Sequence, residues 1–311
     1  MKVVEQNVFY EERPEMWDED SVIEFISRIA SVCYQSSPKA PKKLVETLIK
    51  SGHLSVLEHV YVAFMVDKAY WQYICDISLS IKEYHRFIHV VKNEYNPGYC
   101  LVVLSHRVIL EILAKFSVGD YFCGCVCGVV GEKLPSIYPD IEWECLKKDE
   151  EVFFPITVKG IKDIDEGLIP YTFRFITNRG ITHELVRHRM MSYTQESTRY
   201  CNYSNGKFGE EITVILPYIP DDGEYDYGHM YSSWQAAMEE AEKSYLLLLH
   251  QGFPPEIARG ALPHDVKAEI YVTGLRYQWE HIIDLRLRET TGKVHPQMKE
   301  LLSMVVALSS L

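Results

Sequence analysis

The chain has no run of about eighteen or more uncharged apolar residues, the length a membrane-crossing helix needs. Its amino terminus, Met1 to Arg13, carries acidic residues and lacks the apolar core of an export signal. Basic charge is in deficit. Lysine and arginine number 32 against 44 aspartates and glutamates, a formal net charge of -12, so the broad basic face that holds polymeric nucleic acid is not expected. Small anions held in a local basic pocket stay compatible with that balance. No internal repeat is present, and nothing calls for disulfide staples in 311 residues. The eight cysteines, at positions 33, 75, 100, 123, 125, 127, 145 and 201, therefore read as reduced thiols of a cytoplasmic protein. Apolar content of 47% is enough for one large core or two modest ones.

Three of those thiols, Cys123, Cys125 and Cys127, alternate along the chain. Zinc sites space paired ligands by two or more residues and need a fourth donor, so a packed segment is expected there, with no metal. Apolar periodicity predicts a helix over 20–32 capped by Asp20 or Ser21, and a second over 42–51 closed by Gly52. A loop bearing His53, Glu58 and His59 then feeds a strand, 60–66, rich in branched and aromatic residues. A helix is expected over 108–116, a strand over 171–177, and a helix capped by Asn178. Farther on, a long helix capped by Ser232 or Ser233 is expected to reach Gln251, with Ala237, Ala241, Tyr245, Leu248 and Leu249 on its buried stripe. Two more helices, 256–262 and roughly 266–287, complete a helix-dominated chain.

The segment His183 to Tyr200, HELVRHRMMSYTQESTRY, concentrates Arg187, Arg189 and Arg199 with His183 and His188 in an otherwise acidic protein. On a helix, Arg187, His188 and Arg189 fan outward by about 100° per residue. Like charges crowded this way are best tolerated around phosphate or carboxylate. A zinc hydrolase built on His183, Glu184 and His188 fits poorly, because paired helical ligands want a separation of four.

Arg187-His188-Arg189, seven residues, then Ser197 resembles the RHR(x7)S signature of the flavin-dependent thymidylate synthases, and Thr198-Arg199-Tyr200 extends the likeness. The stretch from Gly52-His53 to Glu58-His59 is similar to that family's amino-terminal histidine loop, and Pro255 to Arg259 with Leu262-Pro263 to its later arginine element. The resemblance covers about residues 20 to 66, 171 to 220 and 230 to 300.

What the resemblance implies is an α+β, helix-rich fold in a single catalytic domain, 1–311, with a large insertion over 68–168 of unassigned role. It implies a homotetramer with sites shared between subunits. The implied reaction methylates dUMP to dTMP, with methylenetetrahydrofolate giving the carbon, FAD carrying the hydride and NADPH reducing the flavin. By the same resemblance, Arg187, His188, Arg189, Ser55, Gln195, His281 and His53 lie along FAD. Glu184, Arg187, Gln195, Glu196, Ser197, Thr198 and Arg199 hold the nucleotide, with Arg259 on its phosphate side. Arg286 polarises the uracil ring, where a fixed guanidinium stabilises developing negative charge. Ser197 is expected to hydrogen-bond the nucleotide rather than act as a nucleophile, and Cys201 to pack. Three positions depart from the family pattern: Glu184 stands where glutamine is usual, Leu275 where asparagine is, and Tyr277 where arginine is. Leu275, Tyr277 and the insertion are what supports the rival reading, a flavin- or nucleotide-binding protein that has lost catalysis.

Overall fold

A computed structural model of the chain describes residues 1–81, 87–92, 98–115, 126, 130–138, 156–159, 166–219, 226–309 and 311. The cysteines at 123, 125 and 127 and the charged stretch 147–151 lie outside them. The strands are β1 (Lys2–Val4), β2 (Asn7–Glu11), β3 (Tyr61–Asp67), β4 (Ile88–Lys92), β5 (Tyr99–Ser105), β6 (Ile156–Lys159), β7 (Pro170–Asn178), β8 (Ser192–Gln195), β9 (Thr213–Ile215) and β10 (Lys267–Leu275). The helices are α1 (Glu19–Ser31), α2 (Pro41–Lys50), α3 (Trp71–Ser80), α4 (His106–Lys115), α5 (Arg179–Leu185), α6 (Tyr227–His250), α7 (Arg276–Arg286) and α8 (Pro296–Leu308), with a short helical turn at Pro255–Ala258. The architecture is mixed helix and sheet.

Helix starts follow their caps. Asp18 accepts from Ser21 N at 3.3 Å and begins α1 ahead of the expected Asp20 or Ser21. Asp226 accepts from His229 N at 3.0 Å, which lengthens α6 beyond the serine caps the sequence favours. Of the expected stripe on α6, Ala237 is exposed, while Tyr245 is buried and Leu248 and Leu249 pack against the same core, joined by Met238.

The antiparallel sheet β2-β7-β10-β8 carries the core of the carboxy-terminal half. Its β10 overturns the expected helix over 266–287: residues 267–275 are a strand, and only Arg276–Arg286 is helical. The reason is two-sided burial. Ile270 and Val272 pack with Phe173, Phe175 and Trp279, while Tyr271 and Leu275 join the other core. A strand covered on both faces loses the alternation that betrays strands, and its apolar run reads equally as helix.

A second antiparallel sheet, β4-β5-β3-β6, places strands from the 68–168 segment on both sides of β3. Its apolar face shares a core with Val22, Ile26 and Ile29 of α1 and with Val108, Ile109 and Ile112 of α4. Among the described residues no helix is long and apolar enough to cross a membrane. Described cysteines 33, 75, 100 and 201 are free thiols.

Candidate functional site

Asn178 at the end of β7 accepts from Ile181 N at 2.8 Å, capping α5 as its position in the sequence suggests. Ile181 and Leu185 pack into the core and fix the helix's rotation. Near its start, Arg179 and His183 line a cavity of about 270 Å³ with Thr198, Arg259, Leu262 and His264. The His183 and His264 rings meet edge to face, 5.9 Å between centroids. Two guanidiniums and two imidazoles make this a pocket for a compact anion.

The helix stops at Leu185, so the basic triplet is not helical as expected. Arg187, His188 and Arg189 occupy a turn held by His188 N donating to Leu185 O (3.1 Å) and Met191 N to His188 O (3.1 Å). The Tyr193 hydroxyl lies 2.7 Å from Leu185 O and 2.8 Å from His188 O, tying helix end to turn. The turn delivers all three side chains to a second cavity, of about 530 Å³, which Met190, Met191, Tyr277, His281, Ile282 and Leu285 also line. Gly274 lets Met191 pack closely against β10: a Cβ there would overlap the Met191 thioether, which would have to move aside.

Arg286 reaches the same cluster. Its Nε donates to His188 Nε2 at 3.3 Å, and its guanidinium lies 3.9 Å from the Glu184 carboxylate. Accepting at Nε2 puts the His188 proton on Nδ1. Burial, followed by the charges of Arg286, His281 and Arg187, pushes His188 down to about 4, so the ring is neutral near pH 7.

The remaining expected residues divide. Thr198 and Arg259 reach the smaller cavity; Arg187, His188, Arg189 and His281 line the larger. Gln195 lines neither and donates to Thr182 Oγ1 at 2.9 Å. Ser197 shapes a turn, its N donating to Cys33 O and its Oγ accepting from Arg199 N at 3.3 Å. Arg199 is half exposed, 3.8 Å from Glu256 and beside the Tyr200 ring. His53 and Ser55 are exposed and line neither cavity within this chain.

Glu196 corrects the sequence reading. Expected at the nucleotide, its carboxylate is 1% exposed and occupied internally: the Tyr203 hydroxyl and Lys267 Nζ each lie at 2.8 Å, and Glu269 N donates at 3.2 Å. A buried carboxylate must be paired, and the cation that pairs it sits on β10, the strand misread as helix. Cys201 packs nearby, its thiol pushed up to about 12 by burial and by Glu196.

His59 is a satisfied core histidine. Its ring nitrogens sit 2.7 Å from Thr273 Oγ1 and 2.9 Å from Thr194 Oγ1, and burial lowers it to about 3. Sequence reasoning missed Arg179, His264 and Gln278. Arg179 adjoins the Asn178 cap, so its place at a helix start was a usable signal; the other two are gathered only by the fold. Among the described residues no group of three or more His, Cys, Asp or Glu is placed to hold a metal ion.

Residues 168–305 match the family model described as thymidylate synthase complementing protein. A flavin-dependent thymidylate synthase of Pyrococcus abyssi is 41% identical over 112 residues, covering 36% of this chain and 43% of the relative. The chain thus matches less than half that relative's length. The flavin-dependent thymidylate synthase of Aquifex aeolicus is 25% identical over 302 residues, covering 86% of this chain and 87% of its own. Among solved structures, a UMP/dUMP methylase, PolB, from Streptomyces cacaoi aligns over 100% of this chain and 92% of its own at 14% identity and a TM-score of 0.43. The chain therefore resembles the flavin-dependent thymidylate synthases, most strongly in its carboxy-terminal part.

Proposed function

We propose that this chain is a flavin-dependent thymidylate synthase, methylating dUMP to dTMP with methylenetetrahydrofolate as carbon donor, FAD as hydride carrier and NADPH as reductant. The observation that supports it best is the turn at Arg187, His188 and Arg189. These three residues of the family-like motif line one cavity together with His281 and, through His188, hold Arg286 from a helix nearly a hundred residues away.

The larger cavity fits a flavin by its donor set. Cationic Arg187 and Arg189 match phosphate oxygens, and Met190, Met191, Ile282 and Leu285 suit the faces of a planar ring. When bound, FAD supplies the hydride chemistry; the protein supplies position and field. Arg286 is held at a fixed angle by neutral His188 and by Glu184. Its guanidinium stabilises negative charge developing on the uracil ring and favours loss of the N3 proton. Arg259 and Arg179 hold the nucleotide's phosphate in the smaller cavity, and Thr198 orients it. His53, Ser55 and Arg199, exposed in one chain, complete the cavities of a neighbouring copy in a homotetramer.

The test is reconstitution. Purified protein should turn yellow with FAD and form dTMP from dUMP, methylenetetrahydrofolate and NADPH, measured by chromatography. FAD binding without dTMP would leave the binding-only reading, which Leu275 favours: it is fully buried and presents no polar group to the cavity.

A further inference from the structure

The wall of the larger cavity contains one residue that also belongs to the other half of the molecule. Tyr277, in the first turn of α7, lines the cavity beside Arg187 and His281 and also packs against the core built on β3, β5 and α4. From β4, within the 68–168 segment, His89 meets the Tyr277 ring edge to face, with centroids 5.9 Å apart and an interplanar angle of 74°. On its other side the phenol oxygen accepts from Gln278 Nε2 at 3.3 Å. Gln278 is itself fixed, its Oε1 accepting from Leu275 N at 2.8 Å.

These contacts set both the position and the polarity of the phenol. Because the oxygen accepts from Gln278, the hydroxyl proton is left to donate. Burial raises the Tyr277 pKa, so the group keeps that proton near neutral pH. Of the neighbouring donors, Arg187 and Arg189 are cations suited to phosphate, while neutral His188 has its Nε2 taken up by Arg286 and keeps only Nδ1–H to give. A neutral donor beside Met191, Ile282 and Leu285 suits an uncharged carbonyl or ring nitrogen of a flat heteroaromatic ligand.

Resting on the flavin reading of this cavity, we propose that Tyr277 contacts the flavin, donating its phenol proton to an acceptor on the ring system. His89 is the positioning residue through which the sheet of the 68–168 segment holds that phenol in place. The segment is then a structural part of the cofactor site rather than a decoration on an edge.

The experiment is titration of the full chain with FAD alone, followed by flavin fluorescence and by the visible absorption bands. Tyr277→Phe should raise the FAD dissociation constant about tenfold and shift the bands, as for one lost hydrogen bond to the ligand, while the apoprotein stays folded with a melting temperature lowered by a few degrees through the lost Gln278 hydrogen bond. His89→Ala should raise it about fivefold, and His89→Phe, which keeps a ring edge, should stay within about twofold of the parent. Should His89→Ala fail to fold, His89→Gln is read in its place. A parent protein that binds no FAD overturns the flavin reading itself. A parent that binds, with Tyr277→Phe within about twofold of it and its bands unmoved, overturns the contact alone. A His89 variant without a ring that binds like the parent overturns the positioning role.

Discussion

The two cavities lie at opposite ends of one short helix and differ in kind. The smaller, at the start of α5, is walled by the charged or polar Arg179, Arg259, His183 and His264, with Leu262 and Pro263 as its apolar side chains. The larger, past the helix's end, mixes Arg187 and Arg189 with Tyr277, two methionines, Ile282 and Leu285. An anion small enough to be enclosed by guanidiniums suits the first, and a flat ring bearing a charged tail suits the second. On the proposed reading one sequence segment serves two ligand chemistries, and the end of α5 at Leu185 is what separates them.

The strongest test of that separation is Arg286→Ala. On the proposed reading it should bind FAD as the parent does and lose about a hundredfold or more in dTMP formation, measured as kcat in a chromatographic assay. Loss of FAD binding instead would move Arg286 out of the nucleotide's chemistry and into the cofactor's hold. Next, Arg259→Ala should weaken dUMP binding by about ten- to a hundredfold in calorimetric titration, the loss expected when a charged hydrogen-bond partner goes, and leave FAD affinity unchanged. Equal damage to both ligands would merge the two cavities into one site.

The smallest effect concerns the protonation of the larger cavity. His188 is held near 4 in the folded protein, against an ordinary value of about 6.5 when unfolded. Between those values the unfolded chain takes up a proton that the folded one refuses. Stability should therefore be undiminished above about pH 6.5 and fall toward pH 4, by at most about 1.4 kcal/mol per pH unit for each such histidine. His59 and His106, both buried and lowered to about 3, pull the same way. Urea midpoints for the parent and for His188→Gln, compared from pH 7 to 4, isolate the share of His188. Parallel curves would mean its ring is protonated freely.

Much of the larger cavity was legible beforehand. Arg187, His188, Arg189 and His281, singled out by the motif and its family likeness, line one cavity, the first three because a turn between a capped helix and a strand keeps neighbours in sequence neighbours in space. Arg286 was legible only as a family position; its grip on His188 depends on how α7 packs. Glu196 was not legible at all: the same glutamate could face a ligand or a lysine, and Lys267 seemed to lie on a helix. Tyr277 appeared as a departure from pattern, and its contact with His89 joins residues almost two hundred positions apart.

The amino-acid order alone settled the local matters: the Asn178 cap, the strand at Tyr61–Asp67 and the clustering of cationic side chains. These rest on hydrogen bonds and periodicities within a few residues. Tertiary structure decided that Lys267–Leu275 is a central strand, that Glu196 is buried against Lys267, and that the 68–168 segment reaches the cavity wall through His89. Each depends on burial from both sides or on pairing across the chain, and burial is a property of the packed molecule rather than of any short stretch of it.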